Sequence, residues 1–154
     1  GAAWTYAGTH MCNAFVGTAR AAFEHALAYA HERRQGGMPI IQHQLTRYRL
    51  GDMARRIEMM RAVARRATLY ANVSPRFHPY VTAQAKVSVT EEAMKVTHEA
   101  LQLFGGNGTS REYPLEKLFR DARASMIEDG ENYMLTMRFG SLLSRLYQDR
   151  WSNG

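Results

Sequence analysis

The chain has 154 residues, with 45% hydrophobic and 22% charged side chains and a formal charge of +6, a size and balance that suit one folded domain and exclude a disordered tract. No apolar run approaches the roughly 20 residues of a membrane-spanning helix, and the opening Gly1-Ala2-Ala3-Trp4-Thr5-Tyr6 lacks the basic-then-apolar order of a secretory signal, so a cytoplasmic location with no membrane partner is expected. Cys12 stands alone, fit for a small apolar filler, and the six histidines show neither His-x-x-x-His nor His-Glu-x-x-His spacing, which leaves no disulfide and no metal site to expect.

Met11, Phe15, Thr18, Ala22, Ala26 and Tyr29 recur at intervals of three and four, the mark of an amphipathic helix. Gly36-Gly37 and Pro39 then end it, so Gly36-Gly37-Met38-Pro39 reads as a turn. A second, longer stripe runs through Leu50, Met53, Ile57, Met60, Ala64, Ala67 and Ala71, and Ser74-Pro75 punctuates its end. The same helix carries Arg47, Arg49, Arg55, Arg56, Arg61, Arg65 and Arg66. With no aromatics interleaved among them they read as a solvated or interface-facing side, and a module that binds nucleic acid is the competing, disfavoured reading. Ala85, Val89, Ala93, Val96, Ala100 and Leu103 mark a third helix, which runs into Gly105-Gly106-Asn107-Gly108. A short helical piece over 114–123 follows, and Leu135, Phe139, Leu142 and Leu146 define a last helix after the break at Gly130. No β-type alternation is visible. Short links between long helices predict an all-α, up-down four-helix bundle with an extra short helix.

Three segments ask for more than packing: 32–40 (Glu-Arg-Arg-Gln-Gly-Gly-Met-Pro-Ile), 102–108 (Gln-Leu-Phe-Gly-Gly-Asn-Gly) and 112–123 (Glu-Tyr-Pro-Leu-Glu-Lys-Leu-Phe-Arg-Asp-Ala-Arg). Each has a purely structural reading. Arg33 closes a helix, where a cation complements the negative end of the dipole. The glycine run stops a helix, because glycine enters left-handed conformations at little cost. Arg120 and Asp121 are adjacent and share no helix face, so each charge needs its own partner. Asp129, before Gly130 and a new helix, suits a cap.

In order and spacing these segments resemble the C-terminal domain of the acyl-CoA dehydrogenase family, over residues 16–147. The resemblance implies FAD as cofactor. Arg33 would reach across a dimer interface to the FAD diphosphate, using its planar fork of charged donors. Gln102, Gly105 and Gly106 would hold the neighbouring subunit's FAD through bare main chain, and Gln35, His43 and Gln44 would add contacts. Asp129-Gly130-Glu131 align with the family's glutamate-glycine-threonine triplet, which makes Asp129 the base that removes a proton beside the thioester carbonyl, places Gly130 against substrate, and puts Glu131 where a hydroxyl residue touches the flavin.

The departures are informative. Aspartate is one carbon shorter than glutamate and resembles the base of nitroalkane oxidases, but the arginine that those enzymes carry seven residues later falls on Thr136, with Arg138 only nearby. The family's CoA-binding arginine aligns with Gly8, its phenylalanine after the arginine turn with Gly36, and the alternative base position with Ala7. Residues 1–154 are therefore expected to be the single C-terminal helical domain of a larger flavoprotein whose N-terminal helical and middle β domains lie outside this chain. The full enzyme would act on an acyl-CoA or carrier-bound thioester and assemble as a homodimer or homotetramer through this domain. Nitroalkane oxidation, flavin monooxygenation and a degenerate member that keeps only the bundle are the alternatives.

Overall fold

The computed structural model describes residues 2–73 and 79–151. Five helices appear in it: α1 (Ala2–Glu32), α2 (Gln44–Val73), α3 (Pro79–Phe104), α4 (Leu115–Ser125) and α5 (Asn132–Trp151). The Ser74-Pro75 break expected after the second helix lies outside the described residues. No helix among those described is long and apolar enough to cross a membrane.

Helix α3 is the axle of the bundle, touching α1, α2, α4 and α5. Its sequence explains the position, because it buries two neighbouring stripes. One is the apolar series Val81, Ala85, Val89, Ala93, Val96, Ala100 and Phe104, and the other is Thr82, Lys86, Thr90 and Thr97. The buried hydroxyls cost little there, since Thr90 and Thr97 donate to the carbonyls of Lys86 and Ala93, each at 2.9 Å. Helix α1 faces α3 with Cys12, Phe15, Ala19, Ala22, Ala26 and Ala30, mostly small side chains that let two backbones come close. At Gly8 a Cβ would lie 3.3 Å from the carbonyl oxygen of Thr82. The position that aligns with the family's arginine is thus pressed against α3, without space for a long side chain.

The second helix follows its pattern closely: every residue of the expected stripe from Leu50 to Ala71 is buried. On α1 the buried line sits about one residue later than expected, with Met11, Thr18 and Tyr29 at its margin. The arginines of α2 lie at the surface or in ion pairs that tie helices together. Arg56 donates to Asp52 and to Glu92 on α3, both at 2.6 Å, and Arg49 faces Glu99 at 3.6 Å. Hydrogen bonds from Arg55 and then Arg56 hold the Asp52 carboxyl below the usual carboxylate range.

The all-α architecture stands, with one small addition at the expected turn. The turn after α1 is a minimal antiparallel hairpin, β1 (Arg34–Gln35) against β2 (Met38–Pro39), in the register Arg34 to Pro39 and Gln35 to Met38. Its two central residues, Gly36 and Gly37, have φ of 61° and 82°, the left-handed pair that a two-residue hairpin demands. Two-residue strands are too short to show alternation. Helix α5 is also thinly seated: it packs on α3, with Leu135, Phe139 and Leu142 half-buried while Leu146, Met137 and Tyr147 stand largely exposed.

Candidate active site

The helices bring the predicted residues together at two ends of α3. Because α1 and α2 run antiparallel and α3 returns beside them, the hairpin after α1 and the glycine run after α3 share one end. Aromatic packing fastens this end. Phe104 stacks on Tyr29 with ring centroids 4.0 Å apart, Tyr113 meets Phe104 edge-on at 5.2 Å, and the amide of Asn107 donates to the Tyr29 hydroxyl at 3.0 Å. Such ring pairs add about 1 kcal/mol each beyond the area they bury.

On this frame Arg33 follows the last turn of α1. Its N–H donates to the Tyr29 carbonyl and its carbonyl accepts from Ile40, both at 2.8 Å, while its side chain is exposed. Arg34 pins the hairpin by donating to the Gly37 carbonyl at 2.9 Å, and a ring nitrogen of half-buried His43 pairs with the Gln35 carbonyl at 3.0 Å. Gln35, Gln44 and Gln102 are exposed. The glycines of 105–108 have different reasons to be there. Gly105 takes φ of 59°, and a Cβ on Gly108 would strike the Leu101 carbonyl oxygen at 2.5 Å. Gly106 has no such demand, with open space where a Cβ would go. An exposed guanidinium, exposed amides and a bare stretch of main chain at one bundle end fit a diphosphate-bearing cofactor such as FAD.

The second cluster lies towards the other end of α3, about 27 Å along the axis from Phe104 by the helical rise. Asp129 is exposed and has φ of 50°, the one non-glycine residue at positive φ among those described, and Gly130 follows at 100°. The capping role expected of Asp129 falls instead to Glu131. Its carboxylate accepts from the Met134 N–H at 3.0 Å, and bonds from the N–H groups of Tyr133 and Met134 hold its pKa below the usual range.

Under this turn stands Lys86, only 1% exposed. Its ammonium donates to the Gly130 carbonyl at 2.7 Å and to Oδ1 of Asn132 at 2.9 Å. Asn132 is 3% exposed and is fixed in turn: its Nδ2 donates to the Thr90 hydroxyl at 3.1 Å and its backbone N–H to the Met126 carbonyl at 3.0 Å. Burial pushes the Lys86 pKa down, and the facing carboxylates of Asp129, Glu131 and Glu128, with Cys12, act the other way. Cys12 is fully buried, and burial raises its thiol to about 12, so it is an inert filler. Among the described residues no group of three or more His, Cys, Asp or Glu side chains gathers as a metal ion would require.

Lys86, Thr90 and Asn132 did not stand out in the sequence. A weak signal was present, since Thr82, Lys86 and Thr90 are spaced by four on a helix whose neighbouring stripe is apolar. In α4 the charges of the third motif find separate partners, as adjacency demands: Arg120 pairs with Glu116 at 2.7 Å and Lys117 with Asp121. Thr136 donates to the Asn132 carbonyl of its own helix at 2.8 Å, and Arg138 is exposed.

Comparison with known proteins bears on this arrangement. Residues 6–141 match the family model described as acyl-CoA dehydrogenase, C-terminal domain. The chain is 38% identical to 3-sulfinopropanoyl-CoA desulfinase of Paraburkholderia xenovorans over 89% of its own length and 35% of that protein's. It is 34% identical to cyclohex-1-ene-1-carbonyl-CoA dehydrogenase of Syntrophus aciditrophicus over 83% of its length and 31% of the relative's. Butyryl-CoA dehydrogenase from Megasphaera elsdenii superposes with a TM-score of 0.85 at 32% identity, over 91% of this chain and 36% of that one. The chain thus spans about a third of the length of the relatives it matches.

Proposed function

This chain belongs to the acyl-CoA dehydrogenase family, as its C-terminal domain, and from that membership we propose that the whole protein is an FAD-dependent oxidoreductase that dehydrogenates an acyl-CoA or carrier-bound thioester between its α and β carbons. Asp129 is the base that takes the α proton, with Gly130 beside it next to the substrate. FAD, when bound, supplies the acceptor for the hydride that leaves the β carbon. Arg33, Gln35, His43, Gln44, Gln102, Gly105 and Gly106 would hold the cofactor's polar part, and Glu131 would lie near the flavin.

The observation that carries this reading is the turn at Asp129. Strained left-handed backbone at a residue other than glycine persists where the surroundings impose it, and such sites cluster at functional positions. The shorter aspartate needs accurate placement to abstract a proton, and the turn supplies a fixed origin for it. The cofactor cluster lies at the other end of α3, so Asp129 and Arg33 of one subunit reach different parts of the assembly. Sharing a site between subunits of a homodimer or homotetramer answers that separation, and the exposed Met137, Leu143, Leu146 and Tyr147 of α5 offer apolar surface for such assembly or for the rest of the protein. In this reading the domain alone is inactive.

The test is an anaerobic titration of full-length protein, purified without added flavin, with a panel of acyl-CoAs and nitroethane. Flavin bands that bleach with a thioester are the expected result. A colourless protein that cannot be reconstituted with FAD overturns the reading, and bleaching by nitroethane alone replaces it with nitroalkane oxidation. The desulfinase relative favours a second reading, in which the thioester is altered without net dehydrogenation. Product without bleaching is its signature.

A further inference from the structure

We propose that Lys86 is a positioning residue: by clamping the Gly130 carbonyl and the Asn132 side chain from inside the bundle, it sets the direction in which Asp129 leaves the turn. The inference rests on the reading of Asp129 as the base, and it adds a part that touches neither substrate nor cofactor.

Packing alone does not call for a lysine at this position. A buried ammonium costs several kcal/mol unless hydrogen bonds replace the lost water, and a methionine would fill similar space without that cost. The two bonds that Lys86 makes, at 2.7 and 2.9 Å, bracket Glu131 in the chain. They hold the chain just after Asp129, at the Gly130 carbonyl and the Asn132 side chain, and the Asn132 N–H, donating to the Met126 carbonyl, closes the far side of the segment that holds φ of 50° at Asp129 and 100° at Gly130. A Cβ on Gly130 would also approach the Leu135 side chain at 3.1 Å, so the turn is pressed from α5 as well as pulled from α3. The rest of the network leaves Asn132 little freedom, because its amide is spent on Lys86 and Thr90 and its N–H on Met126. The carboxylates of Asp129, Glu131 and Glu128 favour the charged form of Lys86 and so act against its burial. Support behind a reacting group of this kind commonly governs rate by one to two orders of magnitude.

The test uses full-length, flavin-replete protein carrying Lys86→Met. Anaerobic flavin reduction by the best thioester should slow about 100-fold with KM unchanged, and exchange of the substrate α proton with solvent deuterium should slow in parallel. Flavin content and visible spectrum should stay as in the wild type, and amide hydrogen exchange should rise over residues 128–134 while the remainder of α3 is unaffected. A folded variant that reduces its flavin at the wild-type rate, or whose turn exchanges no faster, overturns the proposal. Should Lys86→Met fail to fold, Asn132→Leu, which keeps the lysine and its bond to Gly130, is read in the same way with an expected loss of about 10-fold. If wild-type protein reduces its flavin with no thioester, the dehydrogenase reading is what fails, and the exchange measurement still decides whether Lys86 holds the turn.

Discussion

At the Phe104 end of α3, rings from three separate segments pack on one another, and Arg33, Gln35, Gln44, Gln102, Gly105 and Gly106, assigned to the cofactor, are exposed outside those rings. Towards the Lys86 end the order is reversed, with a buried ammonium, amide and hydroxyl gripping the backbone that carries the exposed Asp129. The aromatic end gains stability from apolar area and ring geometry, and its functional atoms are peripheral to that gain. The polar end spends stability on a charge in the interior and a left-handed aspartate, in return for a fixed direction at one carboxylate. Stability and function are therefore separable at the first end and joined at the second.

The sharpest way to break this contrast is Asp129→Asn in the full-length protein. Flavin reduction should fall by about 1,000-fold, within the usual range for loss of a general base, while the helices keep their melting behaviour. Undiminished reduction would remove Asp129 from the chemistry. Phe104→Ala comes next, with an expected loss of about 3 kcal/mol from cavity formation and lost stacking, read as a lower midpoint in urea. It should loosen the hairpin and the glycine run together, and a loss below about 1 kcal/mol would mean that the rings do not hold that end.

A smaller effect of opposite sign is expected from Asp129→Gly, which relieves the φ of 50° and should raise stability by up to about 1 kcal/mol as activity disappears. A less stable glycine variant would show that the aspartate is not strained. Smallest of all is the pH dependence at Glu131. Its folded pKa lies below the ordinary value because the N–H groups of Tyr133 and Met134 bond the carboxylate. The contribution is thus present at neutral pH and is lost as the carboxylate protonates, below about pH 4. The stability gap between wild type and Glu131→Gln should narrow on acidification, and a gap of constant size down to about pH 3 would contradict the cap.

Legibility in the sequence divided along physical lines. The stripe from Leu50 to Ala71 could be read to the residue, because a helix with one dry face records its neighbour in a period of three and four. The stripe of α5 was equally regular and yet is only half covered, since a period reports which face is apolar but not whether a partner from the same chain lies against it. The hairpin at 34–39 escaped because two-residue strands carry no alternation. Asp129 stands out through the triplet at 129–131, but the cap belongs to Glu131, two residues on: which carboxylate meets the N–H groups of α5 depends on the left-handed bend at 129 and 130, and that bend is not encoded in residue spacing.

The sequence by itself determined the helices, their order and the family, because these rest on local period, punctuation and motif. Tertiary structure alone decided that Lys86 meets the carbonyl of Gly130, 44 residues away, and that Asp129 lies towards the opposite end of α3 from Arg33 and the glycine run at 105–108. Contacts between distant segments follow from how amphipathic helices close over one another, which no window of neighbouring residues contains.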